Sequence, residues 1–195
     1  MYDKYFTEID LTPSETWLRL ANQIIEQFKH KCEVTKSQAV PILLIEDYPG
    51  IIEPVDKIKQ VLSKHFRIII SRPGEHVHYH IDANVQKQYT DFPKHTILPG
   101  VINFPIYGCG KNSTIWATPN QPISDPRIFY TNPEQAKTIK WKENASVVMD
   151  KKPVLLNTSR WHKVEPPKVE RAILSFVCSP AYSWKDLSWI VNNQI

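Results

Sequence analysis

The chain has 195 residues, of which 42% are hydrophobic, and a formal net charge of +4. This composition supplies a sizeable core and argues against general disorder, and the length fits one domain. No apolar run is long enough to span a bilayer, and MYDKYFTEIDL lacks the apolar stretch of a signal peptide. The mild positive charge forms no basic stripe of the kind that binds nucleic acid. Three scattered cysteines without Cys-x-x-Cys spacing favour a reducing compartment, so we expect a cytoplasmic protein without a membrane or nucleic-acid partner.

Two helices are predicted in the first third of the chain. Thr12–Glu15 is typical of a capping box with proline at the first helical position. An apolar stripe at helical spacing follows and predicts a helix that ends near His30. A second, shorter helix is predicted over Pro54–Phe66, where Val55, Ile58, Val61 and Leu62 fall on one side.

After Phe66 the sequence changes to short β-rich runs separated by proline, glycine, asparagine and aspartate. Many short strands without intervening helices predict a mainly β fold, an antiparallel sandwich or jelly roll with the N-terminal helices packed outside one sheet. The predicted strands are RIIIS, HVHYHI, VINFPIY, STIWAT, RIFYT, TIKW, SVVM, PVLLN, HKVE and RAILSFVC.

The C-terminal stretch SPAYSWKDLSWIVNNQI predicts a short helix that carries Trp184, Leu187 and Trp189 onto the body of the protein. We therefore expect a single domain over residues 1–195. It is divided into a helical N-terminal part (1–65), a β core (66–179) and a C-terminal extension (180–195).

The stretch EHVHYHID places His76, His78, His80 and Asp82 at alternate positions. Alternate residues share one face of a strand, so all four could face one cavity and parity does not choose between them. A His and a carboxylate two residues apart, joined by a distant His, form the facial triad of non-haem Fe(II) oxygenases. Only His80 has a carboxylate at this spacing. A three-histidine site of the cupin kind, with His76, His78 and a later histidine, is the alternative, and a polar strand face without metal is the third reading.

The later half of the chain supplies a distant histidine and a buried cation. His162 lies in the predicted strand HKVE, and Arg171 opens an apolar strand nine residues later, with Ile173 and Ser175 on its side. A buried arginine needs an anionic partner. A dicarboxylate cosubstrate with one end on the metal would provide it through a bidentate ion pair. An ion pair with Glu165 or Glu170 is the structural alternative.

PGEHVHYHID followed by HKVEPPKVER resembles the Fe(II)/2-oxoglutarate-dependent oxygenase superfamily, and most of all its aspartyl/asparaginyl β-hydroxylase-like branch. The resemblance covers the span from Phe66 to Cys178. It implies a double-stranded β-helix, a cupin-like jelly roll, with Fe(II) at one mouth. His80 and Asp82 from the second core strand and His162 from the seventh would bind the iron.

The same resemblance implies a cosubstrate site. Arg171, on the eighth core strand, would hold the distal carboxylate of 2-oxoglutarate. Asn103 and Tyr107, on one face of VINFPIY, are candidates for contact with cosubstrate or substrate. Some relatives place a serine two residues after the arginine, whereas this sequence has Ile173 there and Ser175 four residues after it, as the candidate second anchor.

The implied activity is hydroxylation of an amino-acid or peptide side chain, with consumption of dioxygen and release of succinate and CO2. Small-molecule substrates occur elsewhere in the superfamily. His76 and His78 would orient the metal ligands or line the substrate mouth. The competing classes are a cupin-type metal-binding protein and a non-enzymatic jelly-roll binding module.

Overall fold

The computed structural model describes residues 4–35, 41–75, 77–84, 89–110, 112–121, 123 and 138–195. The helices are α1 (Glu15–Thr35) and α2 (Trp184–Gln194), with 3₁₀ segments at Ile45–Asp47 and Glu53–Val61. The strands are β1 (Phe6–Glu8), β2 (Ile42–Leu44), β3 (Leu62–Ser71), β4 (Val77–His80), β5 (Val101–Tyr107), β6 (Ser113–Pro119), β7 (Trp141–Val148), β8 (Val154–Leu156), β9 (His162–Val164) and β10 (Arg171–Cys178). The predicted strand RIFYT lies outside the described residues. Within them, no helix is both long and apolar enough to cross a membrane.

Two antiparallel sheets form the body of the protein. The six-stranded sheet has the order β1-β8-β5-β10-β3-β2, and the four-stranded sheet has the order β4-β9-β6-β7. The expectation of a mainly β, antiparallel fold is confirmed. From β3 to β10 the chain passes repeatedly from one sheet to the other, except at the β6–β7 pair, which stays within the four-stranded sheet. The predicted strand SVVM overlaps the end of β7, whereas of TIKW only Trp141 lies in that strand, and β1 and β2 were not predicted.

The central strand β10 is buried along its whole length because both faces of the six-stranded sheet are covered. Leu174 and Phe176 pack with the helices on the outer face. Ile173 packs between the two sheets, and Arg171 on the same side lines the cavity there. The predicted alternation along RAILSFVC is therefore confirmed. Because the inner face of this strand begins with a charged residue, the space between the sheets is not wholly apolar.

Helix α1 covers the outer face of the six-stranded sheet. The Ser14 hydroxyl accepts a hydrogen bond from the Trp17 backbone N–H at 3.1 Å, so Ser14 caps the helix and the predicted start at Thr12–Glu15 is too early. The indole N–H of Trp17 donates to the Ile51 carbonyl at 2.7 Å, and its ring centroid lies 4.9 Å from that of Phe104. This buried tryptophan joins the helix to both the sheet and the following loop.

The predicted second helix is a 3₁₀ segment that ends at Val61, and β3 begins at Leu62. The prediction of a helix as far as Phe66 is therefore wrong. Val55, Ile58 and Val61 are all fully buried. The segment is kinked at Ile58, whose backbone is not helical, so it consists of two short 3₁₀ pieces rather than one continuous helix.

Helix α2 begins at a capping box in which Ser183 and Asp186 bond to each other's backbone N–H. Leu187 and Val191 are buried. Trp189 does not pack onto the body as predicted, since 48% of its surface stays exposed.

Replacing Trp17 by alanine should lower the free energy of unfolding by about 3–5 kcal/mol, because it removes a large buried side chain and leaves the Ile51 carbonyl without its donor. The matched change Trp189→Ala should cost less than about 0.5 kcal/mol, because that side chain is largely solvated. Urea unfolding of both variants measures the difference. Equal losses would contradict the described packing of α1.

Candidate functional site

Two histidines meet across the pair of strands β4 and β9. His80 lies opposite His162 in the antiparallel register, and Val77 lies opposite Val164. The strand β4 thus has one residue more than β9 over this interval, which is a β-bulge. The bulge turns both Val77 and His80 toward the cavity and leaves His78 exposed.

This bulge corrects the expectation that His76, His78 and His80 share one face. The His78 side chain points to the surface and does not line the cavity that contains His80. His76 lies outside the described residues. Strict alternation along EHVHYHID fails because the extra residue places Val77, rather than His78, on the same side as His80.

His80, Asp82 and His162 form one buried group, and one potential ligand atom from each lies within 4.8 Å of the others. The Asp82 Oδ1 atom is 3.3 Å from His80 Nε2 and 4.0 Å from His162 Nε2. Two imidazole nitrogens and one carboxylate oxygen are the donor set of mononuclear non-haem iron sites. The structure brings the three predicted ligands together, and their role as ligands stays a prediction.

Backbone carbonyl groups orient both imidazole rings. His80 Nδ1 lies 2.9 Å from the His78 carbonyl oxygen, and His162 Nδ1 lies 2.8 Å from the Arg160 carbonyl oxygen. A carbonyl only accepts, so Nδ1 carries the proton and Nε2 keeps its lone pair for a metal. Residue 78 therefore helps to orient a ligand, but through its backbone rather than its imidazole.

The protonation states suit metal binding. Burial alone would raise the pKa of Asp82, but the nearby charge of Arg67 outweighs it and holds this pKa well below its usual range. Burial and the neighbouring His80 lower the pKa of His162 to about 4. Near neutral pH the carboxylate is therefore charged and His162 is neutral, which are the forms that bind metal ions.

Asp82 is held by its backbone as well as by its side chain. Its N–H donates to the Thr158 carbonyl at 3.0 Å, and its carbonyl accepts from the Leu98 N–H at 2.9 Å. The Thr158 hydroxyl donates to the Leu98 carbonyl at 3.2 Å. Two distant parts of the chain thus fix Asp82, which lies two residues beyond the end of β4.

Arg67 was not predicted as a site residue. It lies on β3, and its Nη2 atom donates to Asp82 Oδ2 at 3.0 Å and to the Ser175 hydroxyl at 3.4 Å. The sequence contains a signal for it: a charged residue opens the apolar run RIIIS and shares strand parity with Ile69 on the inner face.

A cavity of about 450 Å³ lies between the two sheets and reaches from the histidines to Arg171. Arg171 is 2% exposed, and burial lowers the pKa of its guanidinium. Its Nε atom, the Thr114 hydroxyl and the Asn103 side-chain oxygen are buried without a hydrogen-bond partner among the described residues. Buried polar atoms are costly when unpaired, so this end of the cavity is suited to a polar ligand.

Among the described residues, neither of the two glutamates predicted as partners of Arg171 forms an ion pair with it. Glu165 accepts from the Ser113 backbone N–H at 3.1 Å, and Glu170 pairs with Lys29 at 2.8 Å. The structural alternative of an ion pair with one of these glutamates is therefore wrong. The Nη1 atom instead meets an uncharged group, the side-chain oxygen of Asn112.

The other predicted cosubstrate contacts divide into two groups. Asn103 lines the cavity, and Ser175 lies beside it in register but is fully buried next to Arg67. Tyr107 does not line the cavity: its hydroxyl donates to Glu170 at 3.2 Å on the outer side of the sheet.

A second β-bulge explains the position of Tyr107. Ile173 lies opposite Pro105, whereas the preceding residue of β10, Ala172, lies opposite Tyr107. Ile106 is therefore an extra residue in β5 without a partner in β10. Proline cannot donate a ladder hydrogen bond, and this favours a bulge at its position. The expectation that Tyr107 shares the inner face with Asn103 is wrong for this reason.

No protein-family model matches the sequence, and no curated protein matches it either. Solved structures do match in three dimensions. The non-haem α-ketoglutarate-dependent carbocyclase SnoK from nogalamycin biosynthesis aligns with a TM-score of 0.54 at 10% identity, over 89% of this chain and 79% of that one. The viral collagen prolyl hydroxylase of Paramecium bursaria Chlorella virus-1 aligns with a TM-score of 0.51 at 14% identity, over 90% of each chain.

A prolyl-4-hydroxylase from Pseudomonas putida aligns with a TM-score of 0.50 at 11% identity, over 89% of this chain and 91% of that one. At these identities the similarity establishes a shared fold. The structural neighbours are Fe(II)/2-oxoglutarate-dependent oxygenases. The site residues of this chain have to be judged from their own geometry.

Replacing His80 by alanine should remove stoichiometric binding of Co(II), used as a stable substitute for Fe(II), because one of three ligands is lost. The matched change His78→Ala should leave the affinity within about threefold, because that imidazole is exposed and its carbonyl, which orients His80, remains. Metal titration followed by visible absorption measures both. Loss of binding in His78→Ala with retention in His80→Ala would support the three-histidine alternative instead.

Proposed function

We propose that this chain is an Fe(II)- and 2-oxoglutarate-dependent oxygenase. The observation that carries the proposal is the content of one cavity: a buried His-Asp-His group at one side, and a buried arginine without an acidic partner among the described residues at another. A metal ion alone would explain the first feature, and an anion alone would explain the second. A chelating dicarboxylate bound to the metal explains both.

The strand order supports a double-stranded β-helix. If β3 to β10 are taken as the eight core strands, they divide between the sheets as β3, β5, β8, β10 and β4, β6, β7, β9. His80 then lies on the second core strand, His162 on the seventh, and Arg171 opens the eighth. These are the positions that the resemblance to the superfamily implies, and the shared fold of the structural neighbours is in agreement.

The residues present fit an Fe(II) ion. Three protein donors converge from one side, which leaves further coordination positions for other ligands. The carboxylate of Asp82 offsets part of the metal charge in a site where every ligand is less than 9% exposed. Burial of this kind strengthens the charge interaction between a bound metal ion and its carboxylate ligand.

The residues present also fit 2-oxoglutarate. Arg171 offers a guanidinium that can bind a carboxylate with two parallel hydrogen bonds. Thr114 can donate from its hydroxyl, which lacks a partner among the described residues, and Asn103 can donate from its amide nitrogen. A distal carboxylate would pair the guanidinium and the threonine, and Asn103 is placed to meet another part of the same ligand.

When bound, Fe(II) and 2-oxoglutarate would supply dioxygen activation, coupled to release of succinate and CO2, and the oxidising power for substrate hydroxylation. This chain supplies binding, orientation and exclusion of water. His80 and His162 present oriented lone pairs, and Arg171 fixes the far end of the cosubstrate. Apolar side chains such as Ile69, Val101 and Ile173 line the wall between these groups.

For the primary substrate we propose an amino-acid or peptide side chain, with a small molecule as the second possibility. The structural neighbours include both kinds of enzyme by description: prolyl hydroxylases, one of them solved with a peptide fragment of hypoxia-inducible factor, and a carbocyclase. The aspartyl/asparaginyl β-hydroxylase-like branch rests on motif spacing alone, and the structural comparisons do not support it in particular.

Replacing Arg171 by methionine should weaken binding of 2-oxoglutarate at least about 30-fold, because loss of one partner of a buried charge pair costs about 2–5 kcal/mol. Co(II) affinity should change less than about threefold, since Arg171 is not among the grouped metal-ligating residues. Anaerobic calorimetry on the Co(II)-loaded protein measures both.

The matched control is Arg19→Met, which removes an exposed arginine of α1 whose side chain is 77% exposed. It should bind cosubstrate and release succinate like the wild type. If Arg171→Met binds 2-oxoglutarate normally, the assigned cosubstrate site is wrong, and a simple metal-binding protein becomes the better explanation.

A further inference from the structure

We propose that Arg67 is a positioning residue that holds Asp82 as a metal ligand through one oxygen only. The inference rests on the proposed function, because it concerns the same carboxylate. It adds a residue that no motif indicates and that reaches the site from a different strand. The guanidinium donates to Asp82 and would act on the metal site through that carboxylate.

The two oxygens of Asp82 have different neighbours. Oδ1 faces the histidines, at 3.3 Å from His80 Nε2 and 4.0 Å from His162 Nε2. Oδ2 faces Arg67 Nη2 at 3.0 Å. A carboxylate shared in this way presents one oxygen to a metal and keeps the other in a charge-assisted hydrogen bond.

The arginine is itself fixed from several sides. Its side chain is 12% exposed and rises from β3, which is paired with a strand on each side. The Ser175 hydroxyl on the neighbouring strand accepts from the same nitrogen at 3.4 Å. The Tyr89 hydroxyl shares a hydrogen bond with the guanidinium as well. A guanidinium fixed in this way can hold the Asp82 carboxylate in one orientation.

The number of oxygens that Asp82 offers matters for the proposed chemistry. A carboxylate that binds a metal through both oxygens fills two coordination positions. With one oxygen held by Arg67, the three protein ligands fill only three positions, which leaves room for a two-donor cosubstrate and dioxygen. Arg67 would therefore keep the site open as well as ordered.

Arg67 should have two opposing effects on metal affinity. The direction in which affinity changes when Arg67 is removed therefore distinguishes a positioning role from a purely electrostatic one. As a nearby cation it repels a divalent metal, so its removal by itself would tighten binding. As a partner of Asp82 it orients a ligand, and loss of such a partner lowers metal affinity by about 10–100-fold. We expect the second effect to win, because Asp82 is only 7% exposed and bulk solvent is a poor substitute for the lost donor.

The test is a titration of the metal-free protein with Co(II) alone, without cosubstrate. Arg67→Met should bind Co(II) about tenfold more weakly than the wild type, and Arg67→Lys, which keeps the charge and one donor, should fall between them. Arg19→Met is the matched control and should bind like the wild type. Thermal unfolding of each metal-free variant verifies that it is folded, and Arg67→Lys decides the question if Arg67→Met does not fold.

A double-mutant cycle with Asp82→Asn makes the test specific, because asparagine keeps one oxygen for the metal but offers Arg67 an amide NH2 that cannot accept its hydrogen bond. If Arg67 acts through the carboxylate, Arg67→Met should cause no further loss of affinity in the Asp82→Asn background. Wild-type affinity in both Arg67 variants, or tighter binding in Arg67→Met, would overturn this inference and leave the proposed function intact. Absence of Co(II) binding by the wild-type protein would overturn the metal site itself.

Discussion

The burial of one carboxylate, that of Asp82, is the constraint on which the rest of the site depends. An ionised carboxylate inside a protein is tolerated only where hydrogen bonds and opposite charge replace water. Arg67 provides this compensation on one oxygen, and the imidazole of His80 lies against the other. Three strands must therefore meet at this residue: β3 brings the arginine, and β4 and β9 bring the histidines. These contacts hold the two sheets at a spacing that leaves a cavity beside the histidines and Asp82.

The cavity is polar at both ends for different reasons. At the metal end, charges compensate one another within the protein itself. At the other end, Arg171 contacts the amide of Asn112 and no carboxylate of the described residues. The Thr114 hydroxyl also has no hydrogen-bond partner among those residues. The charges at the first end are therefore paired, whereas polar groups at the second end lack partners among the described residues. A cosubstrate that bridges the two ends joins both sets of groups in one complex.

The chemistry of the site was more predictable from the sequence than its geometry. The spacing of His80 and Asp82, the single suitable distant His162 and the charged start of β10 indicated the four main residues, because ligand chemistry restricts which residue types can serve. The alternation along β10 was also correct, since the extra residues at its two register shifts lie in the partner strands β3 and β5.

The failures share a physical cause. Bulges in β4 and β5 reverse which side chains face the cavity, and no periodic pattern reveals an extra residue; His78 and Tyr107 were misplaced for this reason. The 3₁₀ segment before β3 was taken for a longer helix because both forms bury residues spaced by three. Arg67 was missed because its partner, Asp82, is joined to it only by tertiary structure.

The most direct measurement is the visible spectrum of the wild-type protein after anaerobic addition of Fe(II) and 2-oxoglutarate. If the His-Asp-His group binds the iron and the cosubstrate chelates it, a charge-transfer band should appear at one equivalent of each. The band should disappear when dioxygen and a substrate are admitted. Stoichiometric Fe(II) binding without this band would contradict the cosubstrate site, and no Fe(II) binding at all would contradict the account as a whole.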